Sequence, residues 1–103
     1  MKVIWSLIAQ DQLRQAADYI ENSFGKKARM EFLDDINHSV PLLSSFPFLG
    51  KEEPLLEGAP VAYRSFVIGR LNKIVYYINN SVIEIVALWD TRHEPKKLTE
   101  ELE

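Results

Sequence analysis

The 103-residue chain has no cysteine, which excludes disulfides, thiolate metal sites and cysteine nucleophiles together. It has only two histidines, which argues against a dedicated metal centre, although carboxylates remain able to hold a hard cation. No metal site and no cofactor are expected. No apolar run approaches the roughly 18 residues that cross a bilayer, so no membrane partner is expected either. The opening Met-Lys-Val-Ile-Trp-Ser carries one charge and too short an apolar stretch for a secretion signal, which makes a cytoplasmic location the default. Internal repeats, low-complexity runs and a second domain are all missing. Residues 1–103 read as one domain, with the charged stretch 96–103 as a tail that forms a helical turn or two or stays mobile.

What is present is an ordinary globular composition, 47% hydrophobic and 26% charged, in a chain long enough to bury a modest core. The net charge of −3 is unevenly placed. Residues 1–58 hold six basic and nine acidic side chains, whereas 61–92 hold four basic (Arg64, Arg70, Lys73, Arg92) and two acidic (Glu84, Asp90). A polyanion would therefore meet the second half, but four cations make a weak patch.

Three runs rich in Val, Ile, Tyr and Phe, at 63–68, 71–78 and 82–89, read as β-strands. The breaks between them, Gly69-Arg70 and Asn79-Asn80-Ser81, are short. Such breaks force antiparallel neighbours, because a parallel pair needs a crossover of about a dozen residues or more. Residues 2–5 read as a short strand joining the same sheet. Ser6 is placed to cap a helix whose stripe is Ala9, Leu13, Ala16, Ala17, Ile20 and Phe24, and Gly25 suits its end. Ala28, Phe32, Ile36, Val40 and Leu43 form a second stripe, so helices near 7–24 and 27–44 make an αα-hairpin. Pro41 inside the second helix costs about 3 kcal/mol in a regular helix and predicts a kink or break, with a last turn reaching Ser44 or Ser45. Residues 46–60, with three prolines and two glycines, read as a loop.

This order predicts an α+β domain: an N-terminal strand, an αα-hairpin, then a three-stranded antiparallel sheet. One layer of helices covers one sheet face and leaves the other free. Leu13, Ile20, Phe32, Ile36, Ile74, Ile83 and Ile85 are the expected core. In the last strand, alternation puts Ile83, Ile85, Ala87 and Trp89 on one face. The opposite face, Val82, Glu84, Val86 and Leu88, is also mostly apolar. A strand apolar on both sides needs cover from a partner or from the chain's own tail; the expectation is a partner, on a surface assigned to Val82, Val86, Leu88 and Trp89.

The order of elements, with the residues that mark them, resembles the RelE/ParE superfamily of toxins from type II toxin–antitoxin modules. The marks are Trp5-Ser6 before the first helix, Phe46-Pro47-Phe48-Leu49-Gly50 after the second and Tyr63-Arg64 opening the central strands. Ile74-Val75-Tyr76-Tyr77 and the closing Leu88-Trp89-Asp90-Thr91-Arg92-His93-Glu94-Pro95 complete the set. The resemblance spans nearly the whole chain. It implies a cytoplasmic toxin that halts growth and is held by a cognate antitoxin. RelE-like members cut mRNA on the ribosome; ParE-like members inhibit DNA gyrase and are not nucleases.

Metal-independent RNA cleavage needs a base for the 2′-hydroxyl, cations for the phosphate and an acid for the leaving oxygen. Gly50-Lys51-Glu52-Glu53-Pro54-Leu55 resembles the Gly-Lys-x-Glu-Pro-Leu segment of YoeB-type toxins, and on that likeness Glu53 is the base. Arg64 and Lys73 then meet phosphate, and Arg92 or His93 supplies acid or phosphate contacts. Against this, no aromatic residue follows Trp89, where such nucleases carry one, and the chain is acidic, with a pI of about 5.4. Arg64 and Arg92 also have a structural alternative, pairing with Glu84 and Asp90. A ParE-like toxin that binds a protein target such as gyrase is the leading reading. A RelE/YoeB-like ribosome-dependent endonuclease and a degenerate member that only binds antitoxin are the alternatives.

Overall fold

A computed structural model describes residues 1–69, 71–92 and 102. Its elements run β1 (Lys2–Trp5), α1 (Leu7–Phe24), α2 (Lys26–Ser45), β2 (Lys51–Glu52), a 3₁₀ turn (Pro54–Leu56), β3 (Arg64–Ile68), β4 (Asn72–Asn79) and β5 (Val82–Asp90). Ser6 caps α1 as expected, its Oγ accepting from the Ala9 amide at 3.0 Å. A single residue, Gly25, joins the two helices. Its φ of +96° suits glycine, its amide closes α1 on the Glu21 carbonyl, and its own carbonyl accepts from Arg29 at the start of α2. Pro41 does not break α2, which continues to Ser45. Pro41 lies on the exposed side, and the burial of Phe32, Ile36 and Leu43 on the inner side outweighs its missing hydrogen bond.

The sheet is mixed and five-stranded, in the order β1-β5-β4-β3-β2, which corrects the three-stranded antiparallel expectation. The hairpins are where the sequence places them. Asn79 pairs with Val82 across a two-residue turn in which Asn80 takes a φ of +56°, and Ile68 pairs with Asn72 across a break containing Gly69 at φ +63°. The added parts are β2, a two-residue edge strand within the stretch read as loop, and the parallel pairing of β1 with β5. The helix hairpin and two hairpins separate those partners, so no short connection forces them antiparallel.

β5 carries a bulge. Val75 faces Ala87 and Tyr76 faces Ile85, leaving Val86 as the extra residue. The bulge reverses the alternation of everything after it. Ile83, Ile85 and Leu88 pack with Ile68, Ile74 and Tyr76 under Ala9, Ala17, Phe32, Ile36 and Leu43 of the helices. Ala87 and Trp89 point to the reverse face, where Leu56 and Val75 join them and Tyr63, Val86 and Leu102 pack alongside. The reverse face expected to stay free is thus partly covered by the chain itself. Five of the seven expected core residues are buried; Leu13 and Ile20 are half-buried, Leu13 beside a groove between β1, α1 and α2 and Ile20 beside the groove described below. The tail at 96–103 lies outside the described residues apart from Leu102.

Ile85 is fully buried between sheet and helices. Replacing it with alanine should lower unfolding stability by about 2–5 kcal/mol, the usual cost of a large-to-small core change. Urea denaturation measures this, and a loss well below 1 kcal/mol would mean that the side chain is not in the core.

Candidate functional site

Three clusters gather the residues singled out from the sequence, and they lie apart. The first is built on Glu53, which directly follows β2 and caps the 3₁₀ turn by accepting from the Leu55 amide at 3.2 Å. Its side chain is only 2% exposed. Lys73 Nζ donates to Oε1 at 2.8 Å, and the Ser65 hydroxyl donates to Oε2. Burial from water pushes the carboxyl's titration up. The hydrogen bonds from Lys73, Ser65 and the Leu55 amide, with the Lys73 charge, outweigh that and hold it below the ordinary carboxylate range. A base so saturated and so depressed accepts a proton poorly near neutrality.

The second cluster holds Arg64. The register sets Arg64 opposite Tyr76 and Lys73 opposite Val67, so the alternation of the strands sends the two cations to opposite sheet faces. Arg64 does not meet Glu84, which instead accepts from the Asn79 amide group at 3.2 Å. It donates to the Gly50 carbonyl at 2.6 Å and lies 4.7 Å from the centroid of the Phe48 ring. Beside it the buried Tyr76 hydroxyl donates to the Pro47 carbonyl at 2.8 Å and accepts from the Gly50 amide at 2.9 Å. A Cβ on Gly50 would stand 2.7 Å from the Ser65 carbonyl, so this close approach requires glycine. Arg64 and Tyr76 thereby fix a turn that leaves Phe46 and Phe48 largely exposed.

The third cluster lies past the end of β5. Arg92 grips both oxygens of the Asp90 carboxylate, at 3.0 and 2.6 Å, and donates to the Tyr19 hydroxyl at 3.0 Å. The structural pairing anticipated for Arg92 is the one formed, and the arginine's own titration is raised further by it. His93 lies outside the described residues. The sequence reading missed Ser65, Tyr76 and Tyr19; only strand register and the fold of α1 against β5 bring them to these sites.

Of the partner residues, Val82 and Val86 are half-buried, while Leu88 and Trp89 are covered by the chain. The last two do border a groove of about 820 Å³ between α1, α2 and the ends of β4 and β5. Ala16, Ile20, Ala28, Phe32 and Leu88 give it an apolar lining. Among the described residues no three His, Cys, Asp or Glu gather to hold a metal, and no helix is long and apolar enough to cross a membrane.

Residues 3–95 match the family model described as the ParE toxin of the type II toxin–antitoxin system parDE. The chain belongs to the ParE toxin family. Two solved structures share the fold of this ParE-family chain. One is the chromosomal ParDE TA system from P. aeruginosa, with a TM-score of 0.72 at 18% identity over 89% of this chain and 97% of that one. The other is a YoeB/ParE toxin from Agrobacterium tumefaciens, with a TM-score of 0.61 at 24% identity over 91% of this chain and 100% of that one. No curated protein matches it significantly in sequence.

The Glu53 carboxyl titrates lower in the folded chain than its ordinary value near 4.5 in the unfolded one. Its contribution to stability is therefore complete above that value and lost as pH falls through the folded-state value. Urea midpoints should drop on acidification from about pH 5 to about pH 3, and Glu53→Gln should make that drop shallower. An unchanged slope in the variant would refute the assignment.

Proposed function

We propose that this ParE-family toxin acts in the cytoplasm by binding a protein target, DNA gyrase, and has no ribonuclease activity. A cognate antitoxin, implied by the family, neutralises it. The observation that carries the reading is the fate of the residues a nuclease would need. Glu53 is buried with both carboxylate oxygens engaged, and Lys73 is its ion-pair partner. Arg64 supports the turn at 46–49 from the other sheet face, and Arg92 is gripped by Asp90 at the end of β5. Base and cations do not converge on one point, whereas in-line phosphoryl chemistry needs them within hydrogen-bond reach of a single phosphate. Inhibition by occupancy needs only a surface. Gyrase is named on the strength of the ParE resemblance, and the acidic balance of the chain suits a protein target better than an RNA one.

Inducing the chain without antitoxin should arrest growth while primer extension finds translated messages intact. The purified protein should inhibit gyrase supercoiling. Cuts confined to translated mRNA would overturn the reading in favour of the endonuclease; intact mRNA with unimpaired supercoiling would overturn gyrase as the target.

A further inference from the structure

The turn that follows α2 is built to present two aromatic rings to solvent. Phe46 is 60% exposed and Phe48 69%, with Leu42 and Leu49 exposed beside them. The backbone beneath these side chains is fixed. The Leu49 amide donates to the Phe46 carbonyl at 2.9 Å, closing a β-turn whose second residue, Pro47, has its φ set by the ring. Tyr76 holds the Pro47 carbonyl and the Gly50 amide, and Arg64 holds the Gly50 carbonyl while standing against the Phe48 ring. A buried tyrosine hydroxyl and a half-buried arginine are thus committed to a segment whose own side chains bury little.

The patch is also uncharged. Residues 36–50 contain no Asp, Glu, Lys or Arg, in a chain that is 26% charged. Phe24 and Met30 are about as exposed, but in sequence they stand among Lys26, Lys27, Arg29 and Glu31, and apolar side chains scattered in that way are ordinary. A rigid turn without charge gains nothing from a polyanion's phosphates and suits an apolar cleft with no formal charge on its floor. Shape narrows the occupant further. A second copy of the chain presents the same protruding turn, and two protrusions meet only at their tips, short of the roughly 1,200 Å² that a stable contact buries. Enzyme clefts are concave, so an inhibitor that acts by occupancy needs a convex element already held in its bound shape.

We propose that the turn at 46–49 is the element that enters the protein target, with Phe46 and Phe48 filling an apolar, uncharged cleft and Leu42 and Leu49 sealing its rim. This deepens the occupancy reading above and rests on it. Because Tyr76 and Arg64 set the turn before binding, little ordering entropy is lost when the rings are buried. Each ring then contributes the large apolar area typical of an interface anchor.

The test uses the full chain with purified gyrase as the probe, measuring Kd while circular dichroism and urea midpoints follow folding. Phe46→Ser with Phe48→Ser should weaken binding about a hundredfold or more and relieve inhibition of supercoiling to match. The urea midpoint should change little, because both rings are exposed. Phe46→Leu with Phe48→Leu should fall between, and Phe24→Ser with Met30→Ser should bind as the unaltered chain does. Equal affinity in the Phe46 and Phe48 variants would overturn the role of the turn and leave the occupancy reading standing. No binding by the unaltered chain would overturn both. Equal weakening by the Phe24 and Met30 pair would reduce the effect to general apolar adhesion and overturn the proposal as well. Loss of self-association in sedimentation, or of binding to the product of the adjacent reading frame, with gyrase affinity intact, would assign the turn to a second copy or to the antitoxin instead.

Discussion

One extra residue in β5 decides where most of the structure goes. Were β5 regular, Ile83, Ile85, Ala87 and Trp89 would share one face, and Leu88 would point away from the helices. The bulge at Val86 splits that set, so the strand feeds two cores. The irregularity is held from the side. Beyond Ile85, β1 no longer covers the strand, and α1 takes over: the Ser6 hydroxyl reaches the Val86 carbonyl at 3.4 Å, and Gln12 accepts from the Leu88 amide at 2.9 Å. Ser6 also caps α1, so one side chain ties helix start and strand distortion together. Buried backbone groups that a bulge leaves unpaired need such partners.

The same bulge accounts for the state of Glu53. By sending Ala87 and Trp89 to the reverse face, it creates an apolar surface that Leu56 covers from the 3₁₀ turn. Docking that turn brings its capping residue, Glu53, onto the sheet beside Ser65 and Lys73, and Lys73 sits directly opposite Trp89 in the register. The ion pair is then almost closed to water, which makes both partners necessary: removing either one leaves a buried charge unmatched, at a cost of about 3–5 kcal/mol. A residue that resembles a catalytic base in sequence becomes an anchor in the fold because of what lies under the turn next to it.

The sequence was most legible where a local rule acts alone. Ser6 and Gly25 are read from cap chemistry, both hairpins from Asn80 and Gly69, and the αα-hairpin from its 3.6-residue stripes. Legibility failed where one position depends on a distant one. β2 is two residues long and has no period to detect. The bulge is invisible because residues 82–89 are apolar on both faces, so a slip of one leaves the pattern intact. Leu13 and Ile20 fall on α1's apolar stripe, but they border grooves whose other walls are supplied by β1, α2 and the sheet, elements distant in sequence. Within the site, Arg92 with Asp90 was readable because the two are neighbours in sequence, and Arg64 with Glu84 was not formed because strand register separates them.

Charge placement, finally, supports the protein target proposed above on physical grounds. By sequence, residues 61–92 carry a cationic excess that would draw a polyanion. In the fold, Lys73 is closed over by Glu53 and only 15% exposed, Arg92 is chelated by Asp90, and Arg64 lies between a carbonyl and an aromatic ring. Binding to RNA gains most of its free energy from cations that displace condensed counterions at the phosphates. Cations already matched to carboxylates release few, because the protein's own anion must first be displaced. An acidic chain whose described sheet cations are engaged internally therefore approaches RNA with little attraction and with repulsion from its acidic first helix. A protein surface imposes no such requirement, since apolar contact and a few selected charges are enough.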